Sequence, residues 1–180
     1  MDSSHTHTAD SFKHMKVIKR FVSRGNSLSV VLLQDPDTSE KVVRKTYDRK
    51  HRDHIRAFHH ETKILAHLEE LGWKWCPRLL YVDKDHLTFF ETFVGSKLPH
   101  SDKYQHKAEA RNRELYAKCG YAYIQNGAFR AFNFRGNYAV MNGDVYQLDF
   151  GSPRWTYIGM KSAKSAKSEK HMCKKCSQRH

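Results

Sequence analysis

Four cysteines, Cys76, Cys119, Cys173 and Cys176, are too few to staple a chain of 180 residues. That excludes a disulfide scaffold and fits a reducing compartment. No run approaches the ~18 consecutive apolar residues of a transmembrane helix. The opening segment, MDSSHTHTADSF, lacks the basic-then-apolar order of a secretory signal. Neither a Gly-x-Ser-x-Gly elbow nor a Ser-His-Asp pattern occurs, which leaves nucleophilic hydrolysis without support. Acid is the other shortage: 19 Asp and Glu stand against 32 Lys and Arg, for a formal net charge of +13. Such a balance favours acidic partners, whether nucleotide phosphates, nucleic acid, an anionic membrane surface or an acidic protein, without choosing among them. Hydrophobic content of 39% and aromatic content of 12% are enough for a packed core. A soluble, cytoplasmic protein with no membrane partner is expected.

Residues 1–12 read as a flexible leader. From Lys16 to Lys45 two strand-like halves flank a turn at QDPDTSE, whose Asp-Pro-Asp-Thr-Ser run combines the usual turn formers. Ile55, Phe58, Ile64, Leu65, Leu68 and Leu71 then recur at helical spacing, and Gly72 suits the helix's C-terminal cap. Residues 79–94 make a second hairpin with a turn near DKD, and Gly95 and Pro99 punctuate a hinge. A second long helix is expected from Lys103 to near Gly127. It is followed by NYAVM and VYQLDF, joined by the hairpin signal Asn142-Gly143. The order predicts an α+β protein. The tail, residues 161–180, holds seven Lys and Arg and one Glu, a short KSA repeat and little to bury, and disorder is expected there.

Chemistry gathers at a few positions. Gly25, in SRGNSLSVV, lies where a backbone loop could cover phosphates or simply turn a hairpin. Lys45 ends the β-branched run VVRK, either solvated or aimed out of the sheet at an anion. Glu61 follows 16 residues later on the first helix, exposed if it faces away from the sheet and a partner for Lys45 if it faces inward. Asn137 and Asp149 flank the Asn-Gly hairpin, whose outer ends lie side by side. Their amide and carboxylate oxygens suit Mg²⁺, although each is also an ordinary turn residue.

In this order, VVRK, HHETKIL, RGNYAV and QLDFG resemble the protein kinase-like superfamily over about residues 16–155. The resemblance implies a two-lobed fold: a small β-rich N-lobe over 13–95 and a truncated, helical C-lobe over 96–160. It implies Mg-ATP as ligand, with Gly25 covering the phosphates, Lys45 contacting them, Glu61 orienting Lys45, and Asn137 and Asp149 holding magnesium. LTFFETFVGSKL is similar to that family's hinge, where Glu91, Thr92 and Phe93 would present backbone groups to adenine. Lys45 and Asp149 would then serve catalysis by a serine/threonine protein kinase-like phosphotransferase with an unspecified protein or small-molecule acceptor.

Two departures qualify this. The family's catalytic aspartate falls on Phe132, and FRAFNFRGN contains no acid. Losing that general base typically costs 10²–10⁴-fold in rate. Only 29 residues follow Gly151 (180 − 151), too few for a peptide-docking region. A pseudokinase that binds a nucleotide or a partner protein is therefore the alternative. A third reading is a basic nucleic-acid-binding module that grips phosphates with the lysine tail and stacks bases on Tyr138, Trp155 and Tyr157. His171, Cys173, Cys176 and His180 have zinc-ligand chemistry, but no strand or turn context supports a zinc site in the tail. Cys76 and Cys119 read as buried thiols.

Overall fold

The computed structural model describes residues 7–21, 27, 29–125, 128–129 and 137–159. The expectations for Gly25, Phe132, the tail and its zinc-type residues lie outside them. The described residues form an α+β protein.

The first sheet is antiparallel, in the order β1 (Lys16–Phe21), β2 (Ser29–Gln34), β3 (Lys41–Thr46), β5 (Thr88–Thr92), β4 (Leu79–Asp83). The expected β2–β3 turn closes on Asp35, whose Oδ1 accepts the N–H groups of Asp37 at 2.8 Å and Thr38 at 2.9 Å. That is an Asx turn, the local bond that makes aspartate a turn former. Asp83 does the same at the β4–β5 turn, accepting from Asp85 and His86.

Alternation divides this sheet into two faces. Phe12, Val31, Leu33, Val42 and Phe90 pack on one. Phe12 belongs to a 3-10 turn over Ala9–Phe12, so the end of the expected leader is docked on the sheet. A large aromatic that can leave water for a sheet face gains about 1.5–3 kcal/mol, which outweighs the polarity of its neighbours.

The other face receives helix α1 (Arg52–Glu70). Its buried stripe is Ala57, Phe58, Glu61, Ile64, Leu65 and Leu68, with Gly72 in the left-handed region just past its end. Its apolar members join a cluster with Phe89, Leu98, Ala108, Leu115, Tyr138, Val145 and Phe150. The apolar core thus runs unbroken across the expected boundary between residues 95 and 96. Gly95 makes that crossing possible. Its φ is +107°, and a Cβ there would stand 2.1 Å from the Val140 carbonyl oxygen.

Beyond it, β6 (Ser96–Lys97) pairs with β9 (Tyr138–Met141), which pairs with β10 (Asp144–Gln147). Asn142 and Gly143 form the two-residue loop, both at positive φ, as the Asn-Gly signal predicts. Helix α2 (Asp102–Cys119) packs on β10 and on β7 (Tyr121–Gln125). It stops well short of the expected Gly127. Gly120, at φ +70°, caps it, and the aromatic alternation of Tyr121 and Tyr123 turns the chain into a strand. β7 pairs with β8 (Ala128–Phe129) and β11 (Trp155–Tyr157). Tyr123 meets Trp155 edge-on at 5.4 Å between ring centroids. Aromatic and β-branched neighbours override a helical reading in such a segment. No helix among the described residues is long and apolar enough to cross a membrane.

Candidate functional site

Lys45 and Tyr47 are two residues apart on β3 and the segment that continues it, so their side chains share the face toward α1. Glu61 lies on the buried stripe of α1 and meets both. Lys45 Nζ is 2.7 Å from Glu61 Oε1, and the Tyr47 hydroxyl donates to Oε2. A third donor arrives from the far end of the chain, since the Phe150 N–H reaches Glu61 Oε1 at 3.3 Å. Glu61, 1% exposed, therefore ties β3, α1 and the Asp149-Phe150-Gly151 turn together. A buried carboxylate needs such donors, because an unpaired charge there is strongly destabilising.

The turn is shaped for this closeness. A Cβ on Gly151 would lie 3.2 Å from Glu61 Oε2, so glycine lets the carboxylate approach. Asp149 adopts φ +57°, a left-handed conformation that costs a residue with a Cβ roughly 1–2 kcal/mol. It is held there from both sides. Its Oδ1 accepts the Gly151 N–H at 3.3 Å, and its carbonyl accepts Trp155 Nε1–H at 3.2 Å. His60 on α1 bonds the Trp155 carbonyl at 3.0 Å, which anchors β11 in turn.

Asp149 remains open to solvent on one side, and its Oδ2 has no protein partner among the described residues. The protein packed around it raises its carboxyl above the ordinary range. Glu61's charge adds to that rise, while Lys45 and the Gly151 N–H oppose it. The Leu148 N–H donates to the Asn137 carbonyl at 2.7 Å, so Asn137 and Asp149 sit at the same end of the β9–β10 hairpin, as expected. Among the described residues no three His, Cys, Asp or Glu side chains gather as a metal cluster. A cation here would rest on hard oxygens from Asp149 and Asn137, completed by water and phosphate, which is the donor set magnesium tolerates. The charge fits as well: Lys45 faces three carboxylates, those of Glu61, Glu91 and Asp149.

Glu91 stands elsewhere than a hinge role implies. Its backbone lies within the sheet, in register with Val43 of β3 and Leu79 of β4, and its buried carboxylate is 3.1 Å from Lys45 Nζ. The Thr92 N–H is taken by the Arg78 carbonyl at 3.0 Å and the Phe93 N–H by that of Lys41 at 3.3 Å. Pairing on both edges carries β5 through Thr92, so these groups are engaged in the sheet's own bonds. Burial acts to lower the Lys45 pKa, but the charges of Glu61, Glu91 and Asp149 outweigh it and hold the ammonium above the ordinary lysine range. One cation does not satisfy two buried acids equally. Burial pushes Glu91 up to about 7, against the pull of Lys45 and with the push of Glu61.

Tyr47 and Phe89, whose ring lies 5.5 Å from Lys45 Nζ, are the site residues the motif reading missed. Tyr47's signal was present, two positions beyond Lys45 on the same strand face. Tyr138 and Trp155, expected as exposed stacking rings, are buried at 3% and 2%, with only Tyr157 exposed. They belong to the core that carries the Asp149 turn. Cys76 and Cys119 are buried with raised thiol pKa values, chiefly through desolvation, and offer no thiolate. No protein-family profile matches the chain, and no curated protein matches it.

Proposed function

We propose that the chain is a small kinase-like phosphotransferase that binds Mg-ATP between the Lys45 face of the first sheet and the Asp149 turn. Residues 13–95 act as the β-rich lobe and 96–160 as a minimal second lobe. The observation that carries this reading is the Glu61 carboxylate. It receives Lys45 from β3 and the Phe150 N–H from the Asp-Phe-Gly turn at once. The cationic and metal-binding halves of a phosphate site are thereby fixed against each other.

In this reading Lys45 presents a permanently charged ammonium to phosphate oxygens and Glu61 sets its direction. Asp149 and Asn137 hold the magnesium, which supplies charge neutralisation on the phosphates. The left-handed turn holds Asp149 at an exposed position with its Oδ2 unbonded to protein among the described residues, which leaves that oxygen for a ligand.

The absence of any acid in FRAFNFRGN favours a second reading, a pseudokinase that keeps the nucleotide and lacks efficient transfer. Incubation with γ-labelled ATP, Mg²⁺ and a panel of hydroxyl-bearing acceptors separates the two. Label transfer lost in Asp149→Ala supports the phosphotransferase. Nucleotide binding without transfer selects the pseudokinase, and absence of binding contradicts both.

A further inference from the structure

The face that carries Lys45 holds one acid more than it satisfies. Glu61 has three donors: Lys45, the Tyr47 hydroxyl and the Phe150 N–H. Glu91, 2% exposed, has only Lys45, through Oε1 at 3.1 Å, and its Oε2 finds no hydrogen-bond partner among the described residues. A lysine ammonium offers three donor directions, and here two of them go to carboxylates. A phosphate oxygen that takes the third direction and draws the ammonium toward itself lengthens the looser of the two bonds, the 3.1 Å one to Glu91, because Glu61 is held closer and pinned by two other bonds.

Releasing Lys45 leaves Glu91 buried with no cation, beside an incoming polyanion. A carboxylate in that position is relieved by taking a proton. We propose that Glu91 is a displaceable counter-ion of Lys45, yielding the ammonium to a nucleotide phosphate and taking up one proton from solvent as it does so. This rests on the nucleotide-site reading above and names a linkage that reading does not contain. Only an O–H bond forms at Glu91, and the proton comes from water or buffer.

The groups that act on Glu91 come from every side. Lys45 and Tyr47 come from β3 and its continuation, Glu61 from α1, Cys76 from the segment before β4, and Asp149 from the turn after β10. Lys45 stays charged, while the Tyr47 hydroxyl and the Cys76 thiol stay neutral, each pushed up chiefly by burial. Glu91 is the member of this set already raised to about 7, so a modest added push protonates it near neutral pH. The sign follows. Where Glu91 is ionised before binding and protonated after it, affinity falls as pH rises, by up to about tenfold per pH unit above its pKa.

Titration calorimetry of Mg-ATP at about pH 8, in two buffers of different ionisation enthalpy, tests this on the full chain. The expected result is net proton uptake, a substantial fraction of one proton per nucleotide, in the wild type. Glu91→Gln, nearly isosteric, should show none and bind more tightly than wild type at that pH. Binding without proton uptake, or uptake that persists in Glu91→Gln, overturns the inference and leaves the nucleotide site standing. Absence of binding in both proteins overturns the nucleotide reading and the inference with it. Should Glu91→Gln fail to fold, the wild-type dissociation constant measured against pH still decides, since a flat profile above neutrality contradicts the linkage.

Discussion

The two ends of the site are built on opposite principles. Around Lys45 the polar groups are buried and mostly bonded to each other, with Glu61 at the centre of a knot that joins β3, α1 and the Asp149 turn. At Asp149 the backbone is fixed while the residue is exposed and its Oδ2 has no protein partner among the described residues. The first end is part of the fold's stability, and the second is held in place by the fold but left available. Substitutions should therefore separate the two. Changes in the knot should register as lost stability, and a change at Asp149 should register as lost ligand response.

Lys45→Ala should be the most damaging, because it strands Glu61 and Glu91 in the core. Removing one partner of a buried ion pair typically costs about 3–5 kcal/mol. Urea denaturation near neutral pH measures it, and a loss under about 1 kcal/mol would mean the knot is not buried in solution.

The pH dependence of folding comes next. Glu91's pKa is raised in the folded protein to about 7 from an ordinary 4.5, so the native state binds more protons than the unfolded chain between those values. Its stabilising contribution is complete below the unfolded value and is lost as pH rises through the folded one, on the order of 3 kcal/mol in all. Denaturation midpoints collected across this window should fall in the wild type and stay flatter in Glu91→Gln. Parallel profiles would place the titration elsewhere.

Tyr47→Phe removes one donor to Glu61 and leaves the ring packed against Phe58 and Phe89. A loss of about 1–3 kcal/mol is expected, the cost of under-satisfying a buried charged acceptor. A neutral result would show that Lys45 and the Phe150 N–H suffice for that carboxylate.

Much of this architecture was legible from local rules. Asn142-Gly143 announced its hairpin because two positive φ angles demand those residues. Glu61's inward direction was implicit in the helix period, since it shares the stripe of Ala57, Phe58, Ile64 and Leu65. Glu91's role was not legible. Its approach to Lys45 depends on the register between β3 and β5, strands far apart in sequence, which no local pattern specifies. The end of α2 was misread for a different reason. Tyr121 and Tyr123 can sit on a helix or a strand, and only their packing on Trp155 and Tyr157 selects the strand.

The measurement that addresses the site most directly is thermal melting with ATP, with and without Mg²⁺, of the wild type and of Asp149→Ala. Ligand at about 100 times its dissociation constant should stabilise the wild type by about 2.7 kcal/mol, a shift of a few degrees in a domain of this size. Asp149→Ala, compared with its own melting point without ligand, should lose the magnesium-dependent shift. No shift in the wild type, or an equal shift in Asp149→Ala, would contradict a magnesium-nucleotide site at this turn.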